Sequence, residues 1–122
     1  MNANIKIPAF NDCTFSLHAE QDDIPVRGNA LASGDDAADK ACEDEIIQRL
    51  EDGDIWAWAS VRVVCKFRSW MGSDYLGGCS YANEEAFKAE GGYYEDMKRQ
   101  AYEDMTSNMI HKIREVCEGW TE

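Results

Sequence analysis

Nine carboxylates fall between Asp35 and Asp54, namely Asp35, Asp36, Asp39, Glu43, Asp44, Glu45, Glu51, Asp52 and Asp54, against only Lys40 and Arg49. Residues of this type in this density support three kinds of chemistry. Adjacent pairs such as Asp35-Asp36 and Glu84-Glu85 carry the donors for a divalent cation or for acid-base work. Carboxylates spaced along helices also imitate the phosphate rows of a duplex and so fit a basic protein groove, gaining affinity through released counterions. The third use is a solvated face that keeps the protein soluble, the usual role of acids this numerous.

A second chemistry-bearing set lies on the middle of the chain. In the stretch from Ile55 to Trp70 one alternate series (Trp56, Trp58, Ser60, Arg62, Val64, Lys66, Arg68, Trp70) mixes three tryptophans with three cations. Exposed tryptophan and arginine dominate protein-binding hot spots, and aromatic and basic residues on an open sheet also stack on single-stranded nucleic acid. Buried, the same tryptophans form a second hydrophobic layer, packed on Leu76, the flanks of Gly77-Gly78 or a helix.

Thiol, imidazole and phosphate chemistry find less support. Cys13, Cys42, Cys65, Cys79 and Cys117 are scattered, with no Cys-x-x-Cys, and His18 and His111 sit on different elements. Metal modules usually bring two ligands from one short loop, so the expectation is no metal and no cofactor. No nucleophile-elbow or phosphate-loop pattern occurs, and the chain is read as a non-enzyme.

The whole chain repeats the acidic bias, with 24 Asp and Glu against 12 Lys and Arg, a formal net charge of −12 over 122 residues. That field repels nucleic acid and attracts basic surfaces, and it should make stability rise with added salt. With 44% hydrophobic residues, the length suits a single domain over residues 1–122. No apolar run is long enough to span a bilayer, and Met1 to Phe10 lacks the features of a secretion signal. With an odd number of scattered cysteines, the expected setting is a reducing cytoplasm.

These residues need elements to position them. Alternation in Cys13, Phe15, Leu17 and Ala19 predicts a strand that ends at the turn Gln21-Asp22-Asp23. Ser33 or Asp35 can cap a helix with Ala38, Cys42, Ile46 and Leu50 as its buried stripe, and Gly53 stops it. Ile55 to Trp70 predicts a second strand with Ile55, Ala57, Ala59, Val61, Val63, Cys65 and Phe67 facing the core. A hairpin turn at Met71-Gly72-Ser73-Asp74 leads to a third strand from Tyr75 to Tyr81, where Gly77-Gly78 marks a bulge or a place for a tryptophan to lie across. Asn83 caps a short helix, Gly91-Gly92 breaks the chain, and Met97, Ala101, Met105, Met109, Ile113, Val116 and Trp120 form the apolar stripe of a long final helix. The fold expected is α+β, a small three-stranded antiparallel sheet with helices packed on one face, in the order β-α-β-β-α-α.

Three blocks, Gly53-Asp54-Ile55-Trp56-Ala57-Trp58-Ala59-Ser60-Val61, Asp74-Tyr75-Leu76-Gly77-Gly78-Cys79-Ser80-Tyr81 and Gly91-Gly92-Tyr93-Tyr94-Glu95-Asp96-Met97, resemble a group of small proteins of tailed phages. Arg27-Gly28-Asn29-Ala30 and Ala32-Ser33-Gly34-Asp35 are similar in character. The resemblance implies a phage or mobile-element origin, where small acidic anti-CRISPR and anti-restriction proteins are expected, and it carries over no functional residue.

The resulting expectation is a non-enzymatic inhibitor of a host nucleic-acid-handling complex, such as a CRISPR effector, that binds protein and not nucleic acid or membrane. Its contacts would be Asp35, Asp36, Asp39, Glu43, Asp44, Glu95, Asp96, Glu103 and Asp104. The alternative is an interaction or self-association (homodimer) module that works through Trp56, Trp58, Arg62, Arg68 and Trp70.

Overall fold

A computed structural model describes residues 6–31 and 33–118, with Glu118 described by its backbone alone. The chain forms β1 (Thr14–Gln21), α1 (Asp36–Glu51), β2 (Ala59–Phe67), β3 (Trp70–Cys79), α2 (Glu84–Ala89) and α3 (Tyr93–Glu118), with 3₁₀ turns at Phe10–Asp12 and Ile55–Ala57. The strands make one sheet in the order β1-β2-β3. The α+β class and the β-α-β-β-α-α order are those expected. Pairing is antiparallel throughout: Thr14 Oγ1 donates to Lys66 O at one end of the β1/β2 pair, and Asp22 N donates to Trp58 O at the other. Beyond the ends of β2 and β3, Tyr81 N donates to Trp56 O at 2.9 Å.

Contacts within the chain divide it into two compact units, each stitched from separate segments. The α3 unit comprises Met1–Ser16, Val63–Asp74 and Glu95–Glu122; the α1 unit comprises Leu17–Arg62 and Tyr75–Tyr94.

In the α3 unit the helix buries Met97, Ala101, Met105 and Met109, four residues at helical spacing that present one apolar stripe to the strands. Met105 meets Cys65, its sulfur 3.8 Å from the thiol. The helix backbone comes equally close to Gly72, where an added Cβ would lie 2.5 Å from Ala101 O and 2.7 Å from Met105 Cα. Gly72 therefore serves helix packing and not a turn. The hairpin turn lies at Arg68-Ser69, and Met71 to Asp74 belong to β3. Arg68 makes the turn with φ +56°, a positive φ at the first turn residue that matches the twist of the flanking strands. The apolar stripe ends sooner than its spacing implies. Ile113 is half-buried and Val116 is 45% exposed, while Trp120 lies outside the described residues. Phe10 stacks near Phe15 (4.7 Å) and Tyr102 (5.6 Å), and Tyr102 donates to Pro8 O at 2.6 Å, which fastens the segment before β1 to the helix.

The α1 unit is built around Trp58. Its indole is 4% exposed and clusters with Val26, Ile46 and Ala57, with Cys42, Ile47 and Leu50 of α1 packed against them. The ring lies over Gly78, where an added Cβ would be 3.5 Å away, so the double glycine does accommodate a tryptophan. Sequence alternation overextends β2 here. Ile55 to Ala57 form a 3₁₀ turn because Asp54 accepts a hydrogen bond from Trp56 N, and Ile55 stays at the surface. Asp35 caps α1 by accepting from Ala37 N and Ala38 N. Ala38 is exposed, and Glu43 is buried, contrary to the expected stripe. Asn83 caps α2 as expected, and Phe87 of that helix is fully buried between Trp56 and Tyr81.

Two substitutions test these packing statements by urea unfolding. Gly72→Ala should cost about 2 kcal/mol or more, since neither neighbouring atom is the end of a flexible side chain. Arg68→Gly should gain about 0.5–1 kcal/mol, because relief of a left-handed residue outweighs the added chain entropy.

Candidate functional site

The negative charge is unevenly shared. The α1 unit carries 15 acidic residues against 5 basic ones, whereas the α3 unit carries 9 against 7. A partner of opposite charge is therefore drawn chiefly to the α1 unit.

Within that unit, the helix sorts its carboxylates by position. Asp35, Asp36, Asp44, Glu45, Glu51 and Asp52 are exposed. They fall as three pairs, Asp35-Asp36, Asp44-Glu45 and Glu51-Asp52, separated by about 12 Å and about 9 Å of axis, with Asp35 and Asp52 as the caps of the 16-residue helix. Lys40 on the same helix and Arg27 beside Asp44 subtract from the net charge. Glu45, Glu51 and Asp52 belong to the acidic run read from the sequence but were not among the expected contacts, although they are exposed.

Other members of the expected contact set are engaged inside the unit. Glu43 is only 8% exposed; it accepts from Gly28 N at 2.7 Å and pairs with Arg27 at 3.2 Å. Asp44 takes the other guanidinium nitrogen at 2.6 Å. The bonds to Asp44 and then Glu43 raise the Arg27 pKa, and the three residues fasten α1 to the loop before it. Asp39 is half-buried and accepts from Ser33 N and Oγ. Glu43 thus faces no partner, and Asp39 only in part.

Glu95, Asp96, Glu103 and Asp104 all lie on the surface of α3, in the other unit. Glu95 pairs with Lys98 at 2.9 Å, and Asp104 accepts from Ser73 N at 2.9 Å. These four are not part of the α1 surface.

The tryptophan and arginine series is likewise divided. Trp58 is buried, and Trp56 is half-buried with its ring 5.6 Å from Phe87. Arg62 is half-buried beneath Tyr75. Arg68 and Trp70 belong to the α3 unit, where they line an open groove of about 780 Å³ with Lys6, Phe67, Tyr102 and Met109. The tryptophans of the α1 unit form the second hydrophobic layer and not an exposed patch.

Thiol chemistry is disfavoured at the two buried cysteines. Burial pushes the Cys65 thiol up to about 12, with Cys13 adding to the shift, and burial pushes the Cys79 thiol up to about 11. Both stay protonated at neutral pH and are poor nucleophiles. The five cysteines are unbridged. Among the described residues no three His, Cys, Asp or Glu side chains are grouped to hold a metal ion, and no helix is long and apolar enough to cross a membrane.

The division between anchoring and presented carboxylates is testable. Glu43→Ala should lower stability by about 2 kcal/mol, since the Gly28 amide loses a charged acceptor, whereas Glu45→Ala should change it by less than about 0.5 kcal/mol. Urea unfolding of the two variants measures both.

No protein-family model matches the chain, and no curated protein and no solved structure matches it.

Proposed function

We propose that the protein is a non-enzymatic inhibitor that docks the acidic surface of α1 in the nucleic-acid groove of a basic protein, replacing a phosphate row. The observation that carries this reading is the three pairs of exposed carboxylates on α1 and its caps, in a unit holding 15 acids against 5 cations. The same charge disfavours direct binding to nucleic acid. The contacts are Asp35, Asp36, Asp44, Glu45, Glu51 and Asp52, with Asp39 at the margin.

The resemblance of residues 53–61, 74–81 and 91–97 to small phage proteins supports a more specific version. In it the target is a host defence complex that handles nucleic acid, with a CRISPR effector as the leading class, met in the host cytoplasm. The acidic residues of α3 would then add a second, weaker contact.

The test is competition with duplex DNA for purified CRISPR effector complexes, with the wild type and a Glu45→Lys/Glu51→Lys/Asp52→Lys variant whose helix content is checked by circular dichroism. The wild type should displace DNA, and the triple variant should need at least about tenfold more protein. Equal displacement by both would remove the α1 surface from the mechanism, and no displacement from any effector would remove the target class.

A further inference from the structure

Three sulfur side chains meet in the α3 unit: Cys13 from the segment before β1, Cys65 from β2 and Met105 from α3. The strand register brings the two cysteines to one face. Thr14 stands opposite Lys66 and Asp22 opposite Trp58, so Phe15 faces Cys65, and Cys13, whose backbone is still extended, lies one diagonal step away. The two thiols are within hydrogen-bonding reach of each other. From the helix, the Met105 sulfur comes to 3.8 Å from that of Cys65. Cys79, by contrast, turns its thiol to the carbonyls of Leu76 and Gly77.

Distances decide what such a cluster can do. Diagonal neighbours have Cα atoms about 7–8 Å apart, beyond the about 4.4–6.8 Å that a disulfide spans. Thiols too far apart to join can still share an ion. Metal–sulfur bonds of about 2.3 Å in a trigonal array set the sulfurs about 4 Å apart, close to the Cys65–Met105 separation. Among the described residues no third His, Cys, Asp or Glu joins the two cysteines. That leaves the four-ligand shell of structural zinc short, whereas thiolate with thioether sulfur selects copper(I). Lys98 and Arg99 lie over the rings of Phe15 and Phe10, the aromatic residues that flank Cys13, and these cations offset the charge of a two-thiolate site.

We propose that Cys13, Cys65 and Met105 form a binding site for copper(I), three-coordinate through sulfur. Cys65 and Met105 are fully buried and Cys13 is half-buried, so Cys13 takes the ion first and passes it to the buried pair by exchange of one sulfur ligand for the next. Metal–sulfur bonds replace the two S–H bonds, the protons leave to solvent, and no electron is transferred. Because burial pushes the Cys65 thiol up to about 12, affinity should rise at least about tenfold per pH unit near neutrality. The bound ion ties the segment before β1 to β2 and α3, and the site is independent of the acidic α1 surface.

The test titrates the reduced 122-residue chain with copper(I), without oxygen, in competition with a coloured copper(I) chelator, and reads the ligand shell by copper X-ray absorption. One ion per chain with three sulfur neighbours at about 2.3 Å is expected. Cys13→Ser, a change at a half-buried position, should weaken binding at least about 100-fold. Met105→Leu, which keeps the core volume, should weaken it about tenfold and leave two sulfurs. Circular dichroism checks the fold of both variants, and Cys117→Ser should bind as the wild type does. The proposal is overturned if the wild type takes no copper(I) from the chelator, if Cys13→Ser or Met105→Leu binds as tightly as the wild type, if Cys117→Ser removes binding, or if the ion's neighbours include nitrogen or oxygen.

Discussion

Burial of Trp58 is the interaction on which the acidic unit depends. The indole satisfies its one donor on Ile24 O at 2.8 Å, its backbone carbonyl takes Asp22 N, and its ring fills the space left open by Gly78. That arrangement creates an apolar surface against which α1 rests through Cys42, Ile46, Ile47 and Leu50. Each well-buried Ile or Leu contributes about 2 kcal/mol, and repulsion among neighbouring carboxylates works against this. Without the tryptophan the helix would have little reason to stay docked.

Carboxylates in this protein do two different jobs, and their position in the chain decides which. Those at turns and helix starts accept backbone N–H groups that would otherwise lack partners. Asp22 holds Ile24 N and Gly78 N, Asp35 begins α1, and Asp54 holds Trp56 N while pairing with Arg49. Arg49 in turn donates to Tyr81 O at 2.7 Å, so this pair joins the end of α1 to the chain after β3. Acids on the outward face of α1 have no such duty and remain exposed. The proposed surface is partly shared with structure, since Asp35 also caps α1 and Asp44 also pairs with Arg27.

Much of the fold was legible because it rests on local signals. Asn83 and Asp35 are caps by residue type and position, and Met97, Ala101, Met105 and Met109 form a stripe by spacing alone. Gly77-Gly78 pointed correctly to a tryptophan lying across the strand. The turn at Arg68-Ser69 was hidden because an arginine gives no turn signal, while Gly72 gives a false one: its missing side chain is needed by α3, a partner distant in sequence. Glu43 was hidden for a related reason. Alternation and helical periodicity assign residues to faces but do not say what covers each face, so an acid reached by Arg27 read as surface, and Trp58 was left open between an exposed patch and a second hydrophobic layer. The grouping of Cys13, Cys65 and Met105 depends on strand register and on the helix packed against it, which no single segment specifies.

Charge along α1 is the central physical claim, and salt measures it most directly. The dissociation constant of the protein for a DNA-free effector complex, followed from about 50 to 200 mM salt, should rise steeply on a log–log plot, as it does when a phosphate row is released. The slope should become shallower when Glu45, Glu51 and Asp52 are reversed to lysine. Binding that is tight and indifferent to salt in both proteins would contradict the claim and show that the acidic face of α1 only keeps the molecule in solution.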